Sequence, residues 1–249
     1  MTRFFFPINV LNVTGVINSP TIGIKPMTFT AVGLGDVYIS LTPTGTYEAS
    51  LDYSRDGGKT WTHWDFSSEP TITLPEGASI SFRGVNNNGS LVAGQGIGNF
   101  GFAGNVTAEG SVMSLIYGQL LDSYNNLIIP DGVTLTQLFA NCTGLLSAPE
   151  LPALKLSERC YDSMFSGCTG LTEAPYLPAT ELVSDCYAWM FTGCTYLSEI
   201  SVAFTDWHGG MTQWVDMVDP GGVFKCPAAL DTSIQDSDHV PVGWTVENI

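Results

Sequence analysis

A unit of 26 residues recurs in the second half of this chain. Phe139, Phe165 and Phe191 lie 26 apart, as do Cys142, Cys168 and Cys194, and Leu145, Leu171 and Leu197. FANCTGLLSAPELPALKLSERCYDSM runs into FSGCTGLTEAPYLPATELVSDCYAWM, and FTGCTYLSEISV opens a third copy. A fixed period in the twenties predicts a solenoid, because one such unit cannot bury its apolar face and must stack on its neighbours. Stacked units offer a surface rather than a deep cleft, which favours binding or a structural role over catalysis.

Within the unit, the segments ending in Tyr161, Met164 and Phe165 and in Tyr187, Met190 and Phe191 have the i, i+3, i+4 spacing of short helices. Gly167 and Gly193 follow them as helix C-terminal glycines do. A strand is expected from about Leu171 to Leu177-Pro178. The pattern changes after Ile200, but Met217 sits 26 residues after Phe191, so the same register is expected in a degenerate fourth unit. Gly221–Phe224 and Gly243–Val246 read as short terminal strands. Trp207, Trp214 and Trp244 are expected to cover the end of the stack. Aromatic faces also suit sugar rings, so Trp189, Trp207, Trp214 and Tyr176 are the candidate binding residues.

The first half reads differently. Residues 1–25 form an apolar, β-branched lead that reads either as an added strand on the following domain or as an arm for attachment or oligomerisation. Residues 26–110 carry strand signals at Met27–Val32, Val37–Thr42, Ala49–Ser54, Thr60–Asp65, Thr71–Leu74, Ser79–Val85 and near Asn99–Thr107, with turn residues between them. This pattern predicts an all-β, Ig-like sandwich domain. Ser111–Leu121 has the spacing of a short helix that would cap residues 111–249, the repeat region.

The net charge is −16, with eight Lys and Arg against 24 Asp and Glu. That field repels phosphate backbones, so nucleic acid is not an expected partner. No apolar run reaches the roughly 20 residues of a membrane span. The N-terminus reads as mature structure rather than an export signal. The six cysteines fall on repeat positions or lack symmetric partners, and are expected to be buried free thiols. No C-x-x-C pair or cluster with His63, His208 or His239 marks a metal site, and no cofactor is expected. The N-x-S/T matches at Asn12, Asn88, Asn105 and Asn141 read as coincidence.

One motif points toward chemistry. Ser54-Arg55-Asp56-Gly57-Gly58-Lys59-Thr60-Trp61 fits S-x-D-x-G-x-T-W, the Asp-box of sialidase propellers. In those enzymes the box is a hairpin turn away from the active site and recurs in every blade. Here it occurs once. Only Arg3, Arg55, Arg83 and Arg159 could serve a substrate carboxylate. A hairpin is expected here, with no catalytic residues. A glycan-processing enzyme is the disfavoured alternative.

Phe165, Cys168, Leu171 and Leu177-Pro178, echoed by Phe139, Cys142, Leu145 and Leu151-Pro152, resemble the leucine-rich repeats of the BspA-like surface proteins. The text is similar to arrays in gut Bacteroidales and their bacteriophages, including crAss-like phages. GWTV at Gly243–Val246 resembles the close of such arrays, and YSRDGGKTW resembles the β-domain that precedes them. The resemblance implies an α+β chain, an Ig-like sandwich followed by a short leucine-rich-repeat solenoid. It also implies adhesion or surface display. Without an export signal or an early lipid-anchoring cysteine, the expected setting is a virion. The expected protein is a head or tail fibre or decoration protein that binds a host-surface glycan or protein. Its arm would contact other virion or surface proteins, and a homo-oligomer is expected. A bacterial cell-surface adhesin is the alternative.

Overall fold

The computed structural model describes residues 25–43, 50–85, 97–118, 127–207 and 210–249. Eight strands come first: β1 Met27–Val32, β2 Val37–Thr42, β3 Leu51–Ser54, β4 Thr62–Trp64, β5 Thr71–Leu74, β6 Ser79–Gly84, β7 Asn99–Ala103 and β8 Asn105–Glu109. A short helix, α1 Met113–Tyr117, follows. Then come β9 Leu145–Ser147, β10 Glu199–Ser201, β11 Val223–Cys226 and β12 Thr245–Asn248. Among the described residues, no helix is long and apolar enough to cross a membrane.

The strands form three sheets. One runs β4-β3-β6-β1-β8-β9, the second β5-β2-β7 and the third β10-β11-β12. The first two share a core. Alternation explains how: Met27, Phe29 and Ala31 are buried from β1, and Val37, Ile39 and Leu41 from β2. Phe29 meets Phe100 edge-on at 5.3 Å and Phe102 at 4.9 Å, which ties the two sheets together. The core continues into the repeat region, where Phe139 stacks on Phe100 at 5.9 Å. The link is also made through backbone, since β9 pairs in parallel with β8.

The expected α+β class, with a leucine-rich-repeat solenoid, is overturned. Among the described residues the structure is nearly all β, 32% strand and 3% helix, arranged in several sheets. The segments read as repeat helices are successions of turns. Arg159 and Ser163 have positive φ, as do Asp185 and Trp189, and glycines at 167 and 193 extend each series at four-residue steps. A left-handed residue every fourth position cannot sit in an α-helix. The hydrogen bonds differ accordingly. Asp162, Met164, Ser166 and Cys168 donate three residues back, whereas Tyr161, Ser163, Phe165 and Gly167 donate across to Cys186, Ala188, Met190 and Thr192 of the next unit. Of the expected helix Ser111–Leu121, only Met113–Tyr117 is helical, and residues 119–121 lie outside the described set. The arm over residues 1–24 also lies outside it.

The units nonetheless meet in register as a ladder of turns. Phe139 stacks on Phe165 at 5.5 Å, Phe165 on Phe191 at 5.7 Å, and Tyr161 on Tyr187 at 6.0 Å. All nine repeat positions, from Phe139 and Cys142 through Leu171 to Cys194 and Leu197, are buried. The fourth unit departs from the expected register. Phe191 donates to Trp214 O, where a strict repeat would place residue 216, and Met217 is 63% exposed. Ladder bonds span 25 residues in the earlier units and 23 here, so two residues have been lost.

Candidate functional site

The repeated text A-P-x-L-P occurs at Ala148–Pro152 and Ala174–Pro178. Stacking puts the two copies side by side. The first is anchored where Glu150 N donates to Gly110 O and Val112 N to Glu150 O. The second is anchored where Ala174 N donates to Glu199 O and Leu177 N to Ser201 O. Proline supplies no N–H and fixes φ near −65°, so these stretches cannot close into a continuous ladder. Between them lies a groove of about 250 Å³, lined by Ala148, Pro149, Leu151, Pro152, Leu154, Pro175, Tyr176 and Pro178, with Glu150 its only charged residue. Tyr176 is 52% exposed and Leu154 37%. The wall is apolar and stiff, with one aromatic ring and one carboxylate. It can take an apolar ring face or an extended apolar segment.

The other expected binding residues are not in this groove. Trp214 is fully buried, donates from Nε1 to His239 O at 2.9 Å, and sits against Phe191, Phe204 and Phe224. Its faces are already covered. Trp207 is partly buried, stacks on Phe224 at 6.0 Å and donates to Asp231 O at 2.6 Å. Trp189 is half-buried in a left-handed turn and donates to Gln213 Oε1 at 2.9 Å. Tyr176 alone of the four is offered to a ligand at the groove. Leu154 and the flanking prolines were not expected there. Their signal was the 26-residue echo of A-P-x-L-P, which marks positions that become neighbours.

A larger cleft of about 450 Å³ opens between Leu41, Pro43, Ser50, His63, Asp65, Phe66 and Ser67. The Ser67 and Ser68 hydroxyls donate to Asp65 and hold its carboxyl at about 2, below the usual carboxylate range. A carboxylate held this way is a poor proton carrier near neutral pH.

The Asp-box segment forms the turn between the paired strands β3 and β4. Thr60 Oγ1 donates to Asp56 Oδ2 at 2.6 Å, and Ser54 Oγ, Lys59 N and Thr60 N donate to Oδ1. These donors, the Thr60 hydroxyl foremost, hold the Asp56 carboxyl well below its ordinary range. The described arginines are engaged separately. Arg83 pairs with Asp52 at 2.9 Å and lies over the Trp61 ring, Arg159 pairs with Asp162 at 2.6 Å, and Arg55 donates to Thr73 O. Arg3 lies outside the described residues.

All six cysteines are buried free thiols. Burial pushes Cys142 and Cys194 up to about 12 and Cys186 to about 11, away from thiolate chemistry. Among the described residues, no group of three or more His, Cys, Asp or Glu could hold a metal ion. The chain matches no family model, and no curated protein or solved structure matches it.

Proposed function

We propose that this is a non-enzymatic structural and adhesion protein. In this reading it is a bacteriophage virion component, a fibre or decoration protein, that presents its repeat region to a host-surface glycan or protein. The observation that carries the reading is the groove between successive A-P-x-L-P segments, where Tyr176 and Leu154 stand exposed on a backbone stiffened by four prolines. A preformed apolar surface of this kind binds with little ordering cost. The virion setting draws its support from the similarity of the repeat text to BspA-like arrays of Bacteroidales and their phages.

The test is retention of the purified protein on an array of glycans and outer-surface fractions from gut Bacteroidales. Retention without turnover is expected, and Tyr176→Ala should lose most of it. Release of sugar products, or retention unchanged in Tyr176→Ala, overturns the reading.

A further inference from the structure

Strand β12 ends the parallel sheet, and among the described residues no strand lies beyond it. Thr245 N donates to Gly222 O and Ile249 N to Cys226 O, so alternate residues of this strand face β11. Strand geometry turns the N–H and C=O groups of Val246 and Asn248 the other way, where they can template another strand. Two other edges are blunted, since Arg55 donates to the Thr73 carbonyl on β5 and β4 is only three residues long.

The unit that carries β12 has a distinctive surface. Residues 211–249 contain six carboxylates, Asp216, Asp219, Asp231, Asp236, Asp238 and Glu247, and one lysine. That lysine, Lys225, is taken by Glu199 at 2.5 Å. Val242 and Ile249, which flank β12 in the chain, are both exposed. Two such ends would repel one another. A fitting occupant is an extended segment that is apolar, β-branched and free of carboxylates.

The chain contains such a segment. Residues 1–24 hold Arg3 and no Asp or Glu, the first carboxylate being Asp36. Leu11, Val13 and Ile17 fall on one face at a period of two, with Asn12 and Thr14 on the other. We propose that this N-terminal arm of one copy adds as a strand to β12 of a second copy. The arm joins the fold at β1, in the first sheet, whereas β12 lies at the edge of the third. Twenty-four extended residues reach up to about 80 Å, enough to bridge two molecules. The contact is heterologous, so repetition closes a ring or extends a chain. It is independent of the groove, and either can fail alone.

Sedimentation of the full chain from roughly 1 to 100 µM tests this. Concentration-dependent assembly is expected, and an excess of a synthetic peptide of residues 8–17 should return it to monomer while a scrambled peptide does not. Asn248→Pro removes an outward N–H at an exposed edge position, where proline is tolerated, and should weaken assembly about tenfold or more. Arg3→Glu, which reverses the only charged side chain of residues 1–24, should also weaken it. A wild-type chain that stays monomeric throughout, including by docking its own arm, overturns the proposal. So does a peptide without effect, or assembly unchanged in both variants.

Discussion

The Cys168 thiol donates to the Phe139 carbonyl at 3.0 Å, and one unit later Cys194 repeats the bond to Phe165 at the same distance. Cys142 makes its own to Phe100 O at 2.8 Å. A sulfur ladder thus runs from the β-domain through the repeats. In the repeats each thiol is a second donor to a carbonyl that already accepts a turn bond, Phe139 O from Cys142 N and Phe165 O from Cys168 N. The native protein should therefore react with almost no Ellman's reagent at pH 8, and six thiols should appear once it is unfolded. Rapid labelling of the folded chain would show that the ladder is open to solvent.

Phe165 lies between Phe139 and Phe191, stacked on both and fully buried. Phe165→Ala should cost about 3–5 kcal/mol, the range for emptying an aromatic site in a packed core. Phe165→Leu should cost clearly less. Urea unfolding of the two variants checks the order. Equal costs would mean that the site collapses around the smaller side chain.

Acid should destabilise the β-domain in a defined window. Asp56 and Asp65 both have folded-state values below the unfolded value of about 3.9. The unfolded chain therefore binds more protons in that range, and stability rises with pH. Their contribution should be complete above about pH 5 and fall away as pH drops from about 4 through 2. Urea midpoints for wild type and for Asp56→Asn with Asp65→Asn should differ at pH 7 and converge toward pH 2. A gap that stays constant would rule out these carboxylates as the source.

Lys225 is held charged by Glu199, with Glu247 and Glu173 adding to the effect. Its folded-state value is raised, so its contribution is complete below the unfolded value of about 10.4 and is lost only as pH rises further. Lys225→Met leaves three carboxylates facing one another. Its melting temperature should drop at low salt, and the deficit should shrink at about 0.5 M salt, where such repulsion is screened. A deficit independent of salt would point to lost packing of the lysine stem.

The β-domain was legible because alternation is a local signal. Met27–Val32, Val37–Thr42 and Thr71–Leu74 fall where the pattern placed them, residue for residue. The repeat was legible in what it buries and not in how its backbone runs. Tyr161, Met164 and Phe165 are all buried, as helical spacing requires, but four-residue turns produce the same three-and-four spacing. The column Asn141, Gly167, Gly193 carried the missing clue, since Asn and Gly are the residues that best tolerate positive φ. The fourth unit misled for another reason. Counting 26 from Phe191 reaches Met217, whereas the shortened turn brings Trp214 opposite Phe191. For the groove, prolines that looked like interruptions of a strand became its walls once the units were side by side.

The alternation of backbone bonds in the turn ladder has a consequence for how such a chain can change length. Every second N–H points to the neighbouring unit and every other one closes a turn. Losing one residue inside a run of turns would exchange those roles along the rest of that run and leave buried donors facing the wrong way. Losing two restores the phase, and that is the step by which the ladder spacing falls from 25 to 23. The spacing falls by an odd step, to 22, only where Val215 N donates to Ser237 O at the end of the ladder. Inside its runs of turns, insertions and deletions should survive in pairs, giving the ladder an even-numbered grammar for its own drift.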